Sequence, residues 1–234
     1  MKALILNSGL GSRMGDLTKE HPKCMTEIAP GETIVSRQLR LLSELGIRQV
    51  VMTTGYREDV LEAYCRSLGL PVEFIFVKNP LYRETNYIYS IYCAREQLRD
   101  DLLLLHGDLV FSREAAEKVV SFPGSCMTVS TTLPLPEKDF KARIRNGMVM
   151  QVGIDVFGQD AAAAQAFYRL RREDWQVWLE EIEAFCQAGN TRVYAENALN
   201  ALEGRAHIHA LDLKDLLCTE IDNEADLKAV KAKM

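Results

Sequence analysis

Two glycines separated by one residue, an arginine and a lysine close behind them, and two aspartates far downstream are the positions whose types and spacing support chemistry. The first run reads Leu6-Asn7-Ser8-Gly9-Leu10-Gly11-Ser12-Arg13-Met14, then Thr18, then Pro22-Lys23-Cys24-Met25. A strand entering a Gly-x-Gly turn lets backbone N–H groups approach phosphate oxygens, because no Cβ stands between them. Arg13 offers a planar fork for two phosphate oxygens, and Lys23 a compact charge on a long stem. Pro22 restricts the backbone just ahead of Lys23 and helps to aim it. Two familiar phosphate loops are excluded. The Gly-Lys-Ser/Thr of a Walker loop is absent, and Met14 stands where a dinucleotide fingerprint wants its third glycine.

The apolar run Leu102–Leu105 leads through His106 and Gly107 to Asp108. Ligands of open α/β sheets gather at the carboxyl ends of strands, so a carboxylate there suits a metal. Mg²⁺ favours one or two carboxylates together with phosphates and water. Asp222, in Cys218-Thr219-Glu220-Ile221-Asp222-Asn223, ends a short strand just before a helix and is the second candidate. Glu220 is a lesser rival on the same side of that strand, and His106 reads as a strand-end packing residue. His207 and His209 share a strand face without a third ligand, so no zinc site is expected.

These residues need a scaffold, and the hydrophobic pattern supplies one. Buried strands are expected at Ala3–Leu6, Gln49–Thr53, Val72–Val77 and Leu102–His106, alternating with helices over Thr33–Leu45, Glu58–Leu68, Asn86–Leu98 and Arg113–Val120. Further along, Cys126–Thr132, Ala142–Ile144, Met148–Ile154 and His207–Leu211 read as strands, with Asn146-Gly147 as a hairpin turn. Glu173–Ala188 places Trp175, Trp178, Leu179, Ile182 and Phe185 on one helical stripe, which reads as core. Tyr194–Leu202 reads as a short helix, and Asn223 caps a last one carrying Leu227 and Val230. The fold class is α/β: a Rossmann-like, mostly parallel sheet with helices on both faces and a small appended hairpin and helical region. Within a single domain over 1–234, we divide the chain into a nucleotide-binding core (1–132), an acceptor-binding region (133–215) and a C-terminal metal aspartate and helix (216–234).

Composition is consistent with this. The chain has 234 residues, 47% hydrophobic and 26% charged, as one soluble domain requires. A net charge of −5 argues against a general nucleic-acid binder while leaving room for a small anionic substrate. The six cysteines, Cys24, Cys65, Cys93, Cys126, Cys186 and Cys218, show no metal-ligand spacing and read as reduced thiols. The apolar N-terminal run is too short for an export signal or a membrane span, so a cytoplasmic protein without membrane contact is expected. The sequence is silent on oligomeric state, and a homodimer is compatible with it.

The pattern G-x-G-x-R, a threonine, then P-K and an apolar residue resembles the signature loop of the MobA-like and sugar-nucleotide nucleotidyltransferases. The phosphocholine cytidylyltransferase branch is nearest, on the compact length, the ending Glu220-Ile221-Asp222-Asn223 and the segment Glu84-Thr85-Asn86-Tyr87-Ile88-Tyr89-Ser90. The resemblance implies that Asn7, Ser8, Gly9, Leu10, Gly11 and Ser12 hold a nucleoside triphosphate, CTP for this branch. It assigns Gly55, Tyr56, Asn86 and Ser90 to the same task. It further implies that Arg13 and Lys23 neutralise phosphate charge, that Asp108 and Asp222 hold Mg²⁺, and that Lys23, Arg13 and Asp108 are catalytic. The implied reaction couples CTP to a small phosphorylated acceptor and releases pyrophosphate.

The acceptor is less defined. A choline head group wants an aromatic cage, yet Tyr194-Ala195-Glu196-Asn197 stands where that branch has a Tyr-Trp-Asp-Asn-like run, so one aromatic is missing. Tyr194, Glu196 and Asn197 are assigned to the acceptor, with Glu196 free to pair with a primary ammonium. Phosphocholine, phosphoethanolamine, an aminoalkylphosphonate and a phosphorylated amino acid all remain open. A sugar-1-phosphate nucleotidyltransferase is the rival enzyme, and a non-catalytic nucleotide sensor is the rival from another class.

Overall fold

The computed structural model describes residues 1–234. The chain opens with β1 (Lys2–Leu6), followed by a small hairpin of β2 (Glu27–Ala29) and β3 (Glu32–Thr33). Helix α1 (Ile34–Glu44) starts at a capping box in which Thr33 and Ser36 each accept the other's backbone N–H. Next come β4 (Gln49–Thr54), α2 (Glu58–Ser67), β5 (Glu73–Lys78), α3 (Tyr87–Ala94) and β6 (Leu102–His106). Strands β5, β4, β1 and β6 lie side by side and all parallel. Their carboxyl ends therefore open on the same side, where the glycine loop leaves β1 and Asp108 follows β6.

The second half begins with β7 (Leu109–Phe111), α4 (Arg113–Ser121) and β8 (Ser125–Ser130). Strands β9 (Lys141–Arg145) and β10 (Met148–Gly153) form the expected hairpin. Its turn residues Asn146 and Gly147 have φ of 51° and 77°, the positive pair a tight hairpin needs. Then come β11 (Ala161–Leu170), α5 (Arg172–Gln187), α6 (Ala195–Ala201), β12 (Ile208–Asp212), β13 (Cys218–Glu220) and α7 (Glu224–Lys231). The main sheet has nine strands in the order β5-β4-β1-β6-β11-β8-β12-β10-β9.

Strand β11 was not expected from the sequence. Its run Ala-Ala-Ala-Ala-Gln-Ala-Phe-Tyr-Arg-Leu carries no alternation and favours helix by local propensity. It nevertheless lies in the middle of the sheet, antiparallel to both β6 and β8, with most of its residues buried. Packing on both faces outweighs propensity there.

Trp175 and Trp178 are fully buried in the larger core, and their indole N–H groups donate to the carbonyls of Leu98 (2.6 Å) and Ala195 (2.9 Å). They hold α5 against the sheet and α6, as the core stripe implied, and build no ligand cage. A separate small cluster joins Met14, Ile28, Ile34, Val110, Ile221, Leu227 and Val230. Met14, the residue that spoils a dinucleotide fingerprint, thus anchors the glycine loop to α7 and to the segment bearing Asp222.

The junction of β1 and β6 is close-packed. A Cβ on Gly107 would stand 1.7 Å from Asn7 Oδ1 and 2.8 Å from the Leu6 carbonyl oxygen. Gly107→Ala should cost about 1–3 kcal/mol, the usual penalty for overpacking, measured as a lowered urea midpoint at unchanged slope. A midpoint equal to that of the wild type would mean the junction has slack.

Candidate active site

The glycine loop leaves β1 with its side chains tied down. Ser8 Oγ is bonded to Ser90 Oγ (2.6 Å) and Thr53 Oγ1 (3.1 Å), which pins the loop to α3 and β4. Gly55 lies behind it, where a Cβ would meet the Ser8 carbonyl oxygen at 2.7 Å and the Tyr82 side chain at 2.8 Å. Tyr56 supports the far end, donating from its hydroxyl to the Lys19 carbonyl at 2.5 Å. Gly11 has φ of 65°, and a Cβ there would press on the Lys23 side chain at 3.0 Å, whereas a Cβ on Gly9 would enter open space. Glycine at 11 is required by conformation and closeness; glycine at 9 leaves room for a ligand.

Lys23 is the centre of the arrangement. Its ammonium donates to Asp108 Oδ2 at 2.5 Å and to Asp222 Oδ1 at 2.8 Å, and Arg13 donates to the same Asp222 oxygen at 2.8 Å. Burial alone would lower the Lys23 pKa, but the two carboxylates outweigh it and hold it above its ordinary value. Leu6, Asn7, Gly9 to Arg13, Pro22 to Cys24, Gly107, Asp108 and Asp222 line one cavity of about 280 Å³. Asp108 Oδ1 is buried without a hydrogen-bond partner, as is Asn7 Nδ2. An uncompensated carboxylate oxygen in a polar cleft, two carboxylates converging on one cation, and room for phosphates fit a hard divalent ion.

A second cavity, about 190 Å³, opens between the loop and α3. Ser8, Asn79, Tyr82, Asn86 and Ser90 give it polar edges, and Tyr87, His106 and Asp108 close it. Asn86 caps α3, accepting the Tyr87 N–H at 2.8 Å. Ser90 is buried and serves as the hub between Ser8 and Asn79.

Sequence reasoning undervalued the wall beyond Asp108. His106 Nδ1 and Glu220 Oε1 lie 2.6 Å apart, and His106, Asp108 and Glu220 offer ligand atoms within 4.8 Å of one another. Burial alone would lower the His106 pKa, but Glu220, Asp108 and Glu196 outweigh it and push it up to about 9. Burial pushes the Glu220 carboxyl up, with Asp108 and Asp222 adding repulsion, while His106 opposes the rise. Tyr87, read from sequence as packing, stands with its ring edge on His106, the centroids 4.8 Å apart, and lines the site. The usable signal was the spacing of Glu220 and Asp222, two residues apart at the end of β13.

The acceptor candidates divide. Tyr194 is partly exposed and packs its ring against Phe140 (4.9 Å between centroids) and Tyr87 (5.8 Å). Asn197 accepts the Tyr194 N–H at 3.0 Å and so caps α6. Glu196 is only 2% exposed, and its oxygens accept from the hydroxyls of Tyr168 (2.8 Å) and Tyr87. Burial and this carboxylate hold both phenols well above their ordinary pKa, so they stay protonated donors. Phe140, Ile154 and Tyr194 meet Asn86, Asp108 and Asp222 in a cavity of about 280 Å³.

The profile of the MobA-like NTP transferase domain matches residues 3–128. The chain belongs to this family. Among similar proteins, the CTP:phosphoglutamine cytidylyltransferase of Campylobacter jejuni is 26% identical over 213 residues, covering 84% of this chain and 82% of that protein. The CMP-5'-(3-aminopropyl)phosphonate synthase of Streptomyces rubellomurinus is 28% identical over 97% of this chain but only 37% of its own length. The structure of the CTP:phosphocholine cytidylyltransferase from Streptococcus pneumoniae superimposes with a TM-score of 0.80 at 18% identity, covering 99% of this chain and 98% of that one. Family membership and the Rossmann-like nucleotidyltransferase fold implied by the signature loop are borne out.

The Glu196 network gives a stability test. Tyr168→Phe removes one of two donors from a buried carboxylate and should cost about 1.5–3 kcal/mol, as for hydrogen bonds to charged groups. Chemical denaturation checks this, and a loss under about 0.5 kcal/mol would show that the Tyr168 hydroxyl is not needed to support Glu196.

Proposed function

We propose that this protein transfers CMP from CTP to the phosphate or phosphonate of a small acceptor carrying an amino group, and releases pyrophosphate. The observation that carries the reading is the Lys23 ammonium held between Asp108 and Asp222 at the mouth of the glycine loop. The relatives named for CTP and phosphorylated or phosphonate acceptors support the choice of nucleotide. Residues 1–132 would bind CTP and 133–215 the acceptor, with 216–234 returning Asp222 to the centre. Six unpaired cysteines favour a reducing, cytoplasmic setting for this chemistry.

In this reading an acceptor oxygen attacks the α-phosphorus in line, a bond forms there, and the bond from the α-phosphorus to the bridging oxygen breaks. Such transfer needs alignment and charge neutralisation more than proton transfer. Backbone N–H groups of Gly9 to Gly11 cradle the phosphates, and Arg13 supplies a bidentate fork. Lys23 turns from the aspartates toward the triphosphate. Asp108 and Asp222 would hold Mg²⁺, which when bound offsets the charge on the reacting phosphates. The cytosine edge would be read in the cavity beside Asn79, Asn86 and Ser90.

A panel of each NTP against phosphocholine, phosphoethanolamine, aminoethylphosphonate, phosphorylated amino acids and hexose 1-phosphates, followed by pyrophosphate release, tests the reaction. CTP should be preferred, and CTP binding without turnover on any acceptor would sink the enzyme reading in favour of a sensor. Lys23→Ala and Asp108→Ala should each lower kcat by about 10²–10³; losses below tenfold for both would refute their roles.

Lys23 also competes for the aspartates. Nucleotide-free Lys23→Met should therefore bind Mn²⁺, measured by calorimetry, about tenfold more tightly than the wild type, although its turnover is slower. Equal affinities would place the ion away from Asp108 and Asp222.

A further inference from the structure

Beyond the reaction centre lies a cavity of about 440 Å³, the roomiest of those described, walled by residues from the 133–215 region. It shares Asn86, Phe140, Ile154 and Tyr194 with the cavity that reaches Asp108 and Asp222, so the two form a continuous path. An acceptor whose phosphate sits near Asp108 would send its tail along that path.

Three charged residues line this outer cavity: Asp155, Arg192 and Glu196. Glu196 is engaged by Tyr87 and Tyr168, as described. Arg192 and Asp155 take part in none of the ion pairs of the chain. Arg192 is not simply adrift. Its Nε donates to the Glu84 carbonyl at 3.0 Å, which orients the guanidinium and leaves both terminal amino groups without a protein partner. The loop that carries it is tied to the start of α3, where Asn86 N donates to the Thr191 carbonyl at 2.8 Å.

A guanidinium fixed through Nε with its terminal fork free suits a carboxylate, which it meets with two parallel hydrogen bonds. A choline or ethanolamine tail has no anion to offer and would bring a second cation beside Arg192. We infer that Arg192 is a specificity-determining residue that reads a carboxylate on the acceptor, with Asp155 available to the accompanying ammonium. This deepens, and rests on, the proposed CMP transfer: the acceptor class is a phosphorylated amino acid or a close derivative, carrying both charges at the end remote from the phosphate.

The test uses matched acceptors differing only in the carboxylate. O-phosphoserine, O-phosphohomoserine and phosphoglutamine are each compared with the analogue lacking the α-carboxylate, in pyrophosphate release with CTP and Mg²⁺. For at least one pair the wild type should favour the carboxylate-bearing member in kcat/KM by about a hundredfold or more, chiefly through KM. In Arg192→Ala that ratio should fall toward unity, and Arg192→Lys should restore part of it. CTP affinity measured in parallel should match the wild type, showing that the variant is folded. Equal use of both members of every pair, or an unchanged ratio in Arg192→Ala, would overturn the inference. Thermal shifts by the same acceptors provide a readout free of turnover. If no acceptor releases pyrophosphate, the transfer reading falls, while an Arg192-dependent shift confined to carboxylate-bearing ligands still upholds this pocket and its absence still rejects it.

Discussion

Two carboxylates and one ammonium must share a cleft that is largely withdrawn from water, and the rest of the structure serves that constraint. Lys23, Asp108 and Asp222 have side chains between 13% and 23% exposed, so none is well solvated on its own. Removing Lys23 would leave the two carboxylates without the ammonium that bridges them, a costly state in a low-dielectric setting. The strand ends place Asp108 and the glycine loop side by side, and the last strand and helix bring Asp222 to the opposite side of Lys23. The same charge balance makes the site receptive: a nucleotide offers Lys23 another anion, and a cation offers the aspartates another partner.

Around this trio the protein settles its other buried charges among its own groups. His106 answers Glu220, and the hydroxyls of Tyr87 and Tyr168 answer Glu196. Tyr87 belongs to both arrangements, since its ring borders His106 while its hydroxyl serves Glu196. These satisfied contacts line the way from the phosphate side to the outer cavity. At the outer cavity, Arg192 keeps its terminal fork free of protein partners.

Much of this was legible in the residues alone, for identifiable reasons. The loop carries its message locally, because glycine spacing, Arg13 and the Pro-Lys pair lie within a few turns of one another. Asp108 follows from the rule that ligands meet parallel strands at their carboxyl ends. The Asn146-Gly147 turn was fixed by the positive φ that those two residues tolerate. What escaped depends on contacts between distant segments. The alanine-rich β11 has no pattern of its own and becomes a strand through its neighbours. His106 looked like packing because its partner, Glu220, comes from the other end of the chain. Glu196 read as free to meet an acceptor ammonium because the two phenols that enclose it lie on α3 and β11. Arg192 had no local motif at all.

The cluster in which Met14 meets Ile221 and Leu227 has a consequence for timing. Domains acquire structure as the chain emerges during synthesis, and contacts between remote segments must wait for the later one. The parallel half of the sheet needs nothing beyond β6 to pair its strands, whereas the cluster that Met14 shares with Ile28, Ile34 and Val110 is completed only by Ile221, Leu227 and Val230. A growing chain therefore ties its glycine loop to β4 and α3 before the last hydrophobic contacts close over Met14. Asp222, carried by the same last segment, meets Lys23 at that stage too, so the aspartate pair is completed only by the end of the chain.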